Sequence, residues 1–188
     1  MKISKVIIKN FRSIEEAEFD CNDFNIFVGQ NNAGKTNFFE AIEWFFNGLP
    51  KGKPIQVLHP KGDTSKQISV KIEFTGAIHG AENMRNETNK TKMLGVLNGS
   101  DSLLVERTSL EPAKRKLTIN GEPLAKNPAG FDKAFNDFLP KFEYINTKQY
   151  FDEVAKYSAK TPVGIMLSSV LEEILQDKQF ILEAVTIA

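Results

Sequence analysis

Residues Gly29 to Thr36 read GQNNAGKT, two glycines five positions apart followed by Lys and Thr. That spacing matches G-x-x-x-x-G-K-[ST], in which successive backbone N–H groups point into one anion-sized hollow at the start of a helix. Gly29 allows a sharp exit from a preceding strand, and Gly34 lets the backbone approach a phosphate closely. Lys35, the candidate catalytic residue, places a compact positive charge between the β- and γ-phosphates of ATP, and the Thr36 hydroxyl can ligate Mg²⁺. Asn31, Asn32 and Ala33 fill the loop, and Asn37 follows it. Several charge-assisted hydrogen bonds of about 1.5–3 kcal/mol each are enough for micromolar nucleotide binding. A chance glycine turn is the alternative; an unconstrained match arises in roughly one chain in a hundred of this size.

Such a loop works only between a strand and a helix, and the flanking residues predict both. Ile3 to Phe11 is rich in β-branched residues and reads as a first strand, with residues 17–20 as its antiparallel partner. Phe24 to Val28 is expected as a buried strand leading into the loop. Beyond it, Phe38, Ala41, Ile42, Phe45 and Phe46 recur at helical spacing, and Gly48 is the expected stop. Residues 48–54 read as a loop. From Gln67 to Thr75 the pattern alternates strictly, Ile68, Val70, Ile72 and Phe74 against Ser69, Lys71, Glu73 and Thr75, a half-solvated antiparallel strand. The polar segment 80–92 is expected to be weakly helical or a mobile insertion. Strands follow over 102–109 and 114–119, and Asn120-Gly121 predicts a type I′ turn. Residues 131–139 read as a short helix stopped by Pro140, and 142–146 as a strand. From Pro162 onward Ile165, Met166, Val170, Leu171, Ile174 and Leu175 form a helical stripe. No second βα unit follows the loop helix, which separates the chain from nucleotide kinases and small GTPases.

A chain of 188 residues, 41% hydrophobic and 26% charged, is sized for one globular domain. Lys plus Arg and Asp plus Glu are 24 each, so no global charge drives it toward nucleic acid or anionic membrane. Cys21 is the sole cysteine, which excludes an intrachain disulfide and fits a reducing compartment. No apolar run approaches the roughly 18 residues of a spanning helix. A cytoplasmic protein without membrane contact is the expectation.

The run from Val6 to Ile14, VIIKNFRSI, followed by FNIFVGQNNAGKTNFFEAI over 24–42, resembles the N-terminus of ABC-type ATPases of the RecF/SMC/OLD group. Here OLD stands for overcoming-lysogenization-defect, whose members are ATP-dependent nucleases. The Asn-Asn-Ala filling and Asn37 lean toward OLD-like members, including antiphage-defence ones, over SMC proteins. The resemblance is sharp over 1–48. It implies an α/β (α+β) N-terminal lobe, core strands plus an antiparallel β-subdomain with a few helices. On that view 1–188 is one partial ATPase domain: strands, loop and loop helix over 1–50, the β-subdomain over 51–125, and a helix, a Q-loop-like strand and terminal helices over 126–188. The resemblance also implies that Arg12 reaches the nucleotide phosphates or ribose, against a solvated turn residue as the plain alternative. It implies a glutamine on Mg²⁺ as well, and Gln149, closing FEYINTKQ, holds the matching position, with Lys148 and Asn146 as neighbouring substitutes.

Other family parts find no match. The only Walker B candidate, SSVLEE over 168–173, lies in a helical stripe, with two apolar residues before Glu-Glu. LNGS over 97–100 is better explained as a hairpin turn than as a signature motif. His59 and His79 lack metal-ligand or general-base companions. The expectation is therefore a first lobe without the second, a fragment, truncated product or half of a split enzyme, which alone binds nucleotide weakly and turns it over poorly. Three functions compete: an ATPase head that pairs with another copy, or with a partner carrying the second lobe, to control DNA binding or cleavage; a non-hydrolysing nucleotide-binding regulatory module; and a small-molecule kinase, whose clustered lid arginines are missing.

Overall fold

A computed structural model of the protein describes residues 1–49, 52–124 and 129–144, with isolated positions between 161 and 168. Strands β1 (Lys2–Phe11), β2 (Ile14–Asp20), β3 (Ser69–Thr75), β4 (Ser102–Thr108), β5 (Lys116–Ile119) and β6 (Glu122–Pro123) form one sheet in the order β2-β1-β3-β4-β5-β6, antiparallel throughout. Helices α1 (Lys35–Asn47), α2 (Ala77–Glu82), α3 (Glu87–Leu97) and α4 (Phe131–Phe138) complete the regular structure. Contacts divide the chain into two units, Met1–Phe142 and Glu143–Ala188, and all these elements lie in the first.

The sheet follows from alternation. Val6 and Ile8 on β1, and Ile68, Val70, Ile72 and Phe74 in and beside β3, are fully buried, whereas Lys71 and Glu73 keep partial solvent contact. Both of these strands thus put one face into the core at about 2 kcal/mol per large side chain. The β1–β2 turn is two residues long, with Phe11 paired to Ile14, and its first central residue, Arg12, has φ +50°. The Arg12 N–H donates to the Leu58 carbonyl at 2.8 Å, which pins this turn to a short 3₁₀ segment, Ile55–Leu58. The expected Asn-Gly turn closes β5 onto β6, with φ +53° and +81° at Asn120 and Gly121.

Helix α1 lies against the sheet through aromatic rings, Trp44 at 6.1 Å from Phe11 and Phe45 at 6.4 Å from Phe74 between centroids. Its far end is tightly held. Arg107 Nη1 donates to the carbonyls of Trp44 at 2.7 Å and Phe45 at 2.9 Å, and Arg115 Nη2 donates to the Phe46 carbonyl at 2.7 Å. Both guanidiniums also lie over aromatic faces, Arg107 over Trp44 and Arg115 over Phe45 and Phe135. Two cations at a helix C-terminus satisfy its orphan carbonyls and oppose the dipole's negative end. Burial, helped by Arg115, pulls Arg107 down to about 10, which leaves it charged at neutral pH. Gly48, at φ +75°, donates its N–H to the Trp44 carbonyl at 2.9 Å and ends the helix as expected.

Three expectations need correction. Residues 24–28 form no ladder, and Phe24, Ile26 and Val28 are 80%, 72% and 86% exposed. A strand needs a neighbour, and none of the described strands lies alongside this segment. For 80–92, by contrast, the helical alternative holds: Asn86 caps α3 by accepting the Asn89 N–H, and Asn89 Nδ2 donates to Asp137 of α4 at 3.0 Å. Of the strand expected over 142–146, residues 142–144 carry none and 145–146 lie outside the described residues, and 97–100 is the left-handed exit of α3 toward β4 rather than a hairpin turn. Among the described residues no helix is long and apolar enough to cross a membrane.

Candidate functional site

The loop ahead of α1 is built by two left-handed residues, Asn32 at φ +68° and Gly34 at φ +92°. Gly34 is the N-cap, and no side chain caps the helix. The first-turn N–H groups therefore have no intrahelical acceptor and converge at the positive end of the dipole. Gly29 has no left-handed φ, and a Cβ there would meet only the Ala33 methyl at 3.6 Å. The sharp turn expected of Gly29 thus falls on Asn32 and Gly34. For an L side chain the obstacle at Gly34 is its φ, since the nearest atom to an added Cβ, Ser13 Oγ, is 3.6 Å away.

Lys35 folds back over this loop. Its Nζ donates to the carbonyls of Gly29 at 2.6 Å and Gln30 at 2.8 Å. The ammonium thereby spans the loop while its surroundings remain open, with Gly29 to Ala33 and Thr36 exposed. Behind the loop Phe27, from the otherwise bare segment, packs on Phe19, Phe38 and Phe39 with centroid distances of 5.5, 4.5 and 5.4 Å. This aromatic cluster fixes the loop's entry and the first turn of α1 in one piece.

The β1–β2 turn meets the same helix. Asn37 Nδ2 donates to Ser13 Oγ at 2.6 Å, and Arg12 Nη1 pairs with the Glu40 carboxylate one turn further along. Arg12 is therefore no freely solvated turn residue; its guanidinium also lies 5.9 Å from the Phe11 ring. Arg12, Ser13 and Asn37 line a groove of about 940 Å³ together with His59, Lys61 and Lys66. His59 is a packed residue whose Nδ1–H donates to the Lys66 carbonyl at 3.0 Å. Glu43 follows Glu40 on the same helix face, and burial together with Glu40 pushes its carboxyl above the ordinary range.

Of the residues singled out in the sequence, Gly29, Asn31, Asn32, Ala33, Gly34, Lys35, Thr36 and Asn37 are thus one continuous loop and helix start, and Arg12 stands beside them. Gln149 lies outside the described residues. Ser13 and Glu40 were not anticipated. For Glu40 the signal was the three-residue spacing of Asn37, Glu40 and Glu43, which puts polar side chains on one edge of an otherwise apolar helix; Ser13 had none.

An uncapped helix start, a left-handed glycine and a lysine turned over the loop are the features by which a P-loop ATPase cradles phosphate. The comparisons agree: residues 1–181 match the family described as AAA ATPase domain, and the chain belongs to that family. Its relatives include a nuclease of the OLD kind that the N-terminal run resembles. It is 26% identical over 187 residues to the Old nuclease of Escherichia phage P2, covering 95% of this chain and 31% of that protein. It is 37% identical over 164 residues to an uncharacterized protein of Methanocaldococcus jannaschii, covering 83% and 41%. An SMC ATPase structure from a study of ATP-driven dimerization is similar with a TM-score of 0.48 at 21% identity, covering 73% of this chain and 80% of that one. The chain thus spans less than half the length of these two curated relatives.

Proposed function

We propose that this chain is the nucleotide-binding part of an ABC-type ATPase head that couples ATP to work on DNA, in the manner of OLD-like and RecF-like proteins. The observation that carries the reading is Lys35 Nζ on the Gly29 and Gln30 carbonyls beside an uncapped helix start. The loop amides from Asn31 to Asn37 would hold the phosphate tail, Lys35 would exchange its carbonyl partners for phosphate oxygens, and Thr36 would hold Mg²⁺ together with those phosphates. Arg12 would add a guanidinium from the β1–β2 turn, and the groove between Asn37 and Lys61 has room for the nucleoside. Bound ATP supplies the phosphoanhydride whose hydrolysis would drive the head; the chain's own residues bind, orient and neutralise charge.

Several features extend this reading to a longer protein. Residues 1–188 would be one part of a single ATPase domain, and the bare edge of 24–28 would belong to its core sheet. Pairing with a second head, or with a partner carrying the other lobe, would complete the hydrolytic site. Gln149 would be the second Mg²⁺ ligand. DNA as the target follows the similarity to a DNA replication and repair protein RecF, and a cytoplasmic setting fits the lone Cys21.

Calorimetric titration of the folded chain with Mg·ATP tests the reading. Wild type should bind, and Lys35→Ala should weaken binding by at least about tenfold, the worth of one charge-assisted hydrogen bond. Equal affinity of the two proteins would refute it.

A further inference from the structure

We propose that Glu40 is a positioning residue for nucleotide binding, holding the Arg12 guanidinium at the mouth of the groove through an ion pair that persists when nucleotide is bound. The inference rests on the nucleotide-binding reading above and adds to it a residue outside the phosphate loop.

Both ends of the pair are rigid. Arg12 occupies the first central position of a two-residue hairpin turn at φ +50°, a conformation that costs an L residue about 1 kcal/mol or more and persists only where surroundings dictate it. Its N–H is held by the Leu58 carbonyl, and Asn10, near the end of β1 and also at positive φ, is tied through Nδ2 to the Gln67 carbonyl at 2.9 Å. Glu40 sits inside α1, one turn beyond Asn37, which is itself bonded to Ser13. The hairpin tip is thus laced to the phosphate-loop helix at two points, Asn37 to Ser13 and Glu40 to Arg12.

The pair leaves most of the arginine's capacity unspent. A guanidinium has five N–H donors in a fixed fork, and Glu40 engages Nη1. Nε is buried without an acceptor among the described residues. One carboxylate on one edge therefore orients the fork while leaving donors for a second anion.

The alternative geometry, in which nucleotide draws Arg12 away from Glu40, is disfavoured by what would remain. Glu40 and Glu43 are three residues apart on one helix face, both partly buried, and the Glu43 carboxyl is already raised by burial and by Glu40. Removing the cation would strand two half-buried carboxylates on one helix face, with Lys53 as the remaining nearby cation. The arrangement favours Arg12 contacting both anions at once.

The test is a double-mutant cycle read by Mg·ATP titration, well below the unfolding midpoint, on wild type, Arg12→Ala, Glu40→Gln, the double variant and Lys35→Ala. Positioning predicts that Arg12→Ala and Glu40→Gln each weaken binding about tenfold, and that the double variant is no weaker than either. A merely structural Glu40 would lower the unfolding temperature but leave the affinity of the folded protein within twofold, which would overturn the inference. So would tighter binding by Glu40→Gln, additive losses in the double variant, or an ineffective Arg12→Ala. If Lys35→Ala also binds like wild type, the nucleotide-binding reading itself fails, and the inference with it; loss in Lys35→Ala alone removes only the role of Glu40.

Discussion

The two ends of α1 are built to opposite specifications. At the C-terminal end Arg107 and Arg115 engage the carbonyls of Trp44, Phe45 and Phe46, and Phe45 is fully buried. At the N-terminal end no side chain caps the helix, Lys35 bends back onto loop carbonyls, and the approach through Phe24, Ile26 and Val28 is bare. One end is satisfied by the protein; the other keeps its donors unspent. A helix held firmly at one end can present the other to a ligand without paying again for its own ordering, which is the meaning of preorganisation here.

The largest expected effect of breaking this contrast lies at the satisfied end. Arg107→Ala would strip partners from the Trp44 and Phe45 carbonyls and vacate a buried volume. Unfolding free energy should fall by about 2–4 kcal/mol, measured as a lower denaturation midpoint with unchanged slope. A loss under about 0.5 kcal/mol would show that the clamp does not hold the helix.

The opposite region should tolerate change. Ile26→Ser, in the bare segment, is expected to alter the stability of this chain by no more than about 0.5 kcal/mol. A cost several times larger in the same denaturation experiment would mean that 24–28 is covered in solution.

That segment also shows where sequence reading reaches its limit. Alternation in β1 and β3 and the apolar face of α1 are local patterns whose burial is decided within a few residues, and they were legible. Residues 24–28 carry an equally good strand pattern, but a strand is completed by its neighbours, which no local pattern supplies. Helix α3 was obscured differently: its buried stripe is Asn89, Met93 and Leu97, and the leading polar residue is tolerated only because Asp137 of α4 accepts its amide proton. For the site, the loop was legible because every member lies within nine residues, from Gly29 to Asn37. The Arg12–Glu40 pair was not, because it joins residues 28 positions apart through a turn geometry that spacing does not encode.

A smaller effect sharpens the electrostatics beside the loop. The Glu43 carboxyl is raised by burial and by Glu40, so its ionised form is disfavoured in the folded state. Stability that the protonated form would contribute is lost as pH rises through that raised value. Glu43→Gln should therefore stabilise the protein at neutral pH, by no more than about 0.5 kcal/mol at this half-exposed position. The gain should vanish below the ordinary carboxylate range. Unfolding midpoints at pH 7 and pH 4 check the sign, and a gain that grows on acidification would contradict it.

The contrast between the two helix ends is tested most directly by amide hydrogen exchange with and without Mg·ATP. Added nucleotide should slow exchange across residues 29–37 and leave 44–48, where arginines already hold the Trp44, Phe45 and Phe46 carbonyls, unchanged. Exchange across 29–37 that is indifferent to saturating Mg·ATP, or protection confined to the other end of α1, would contradict the account.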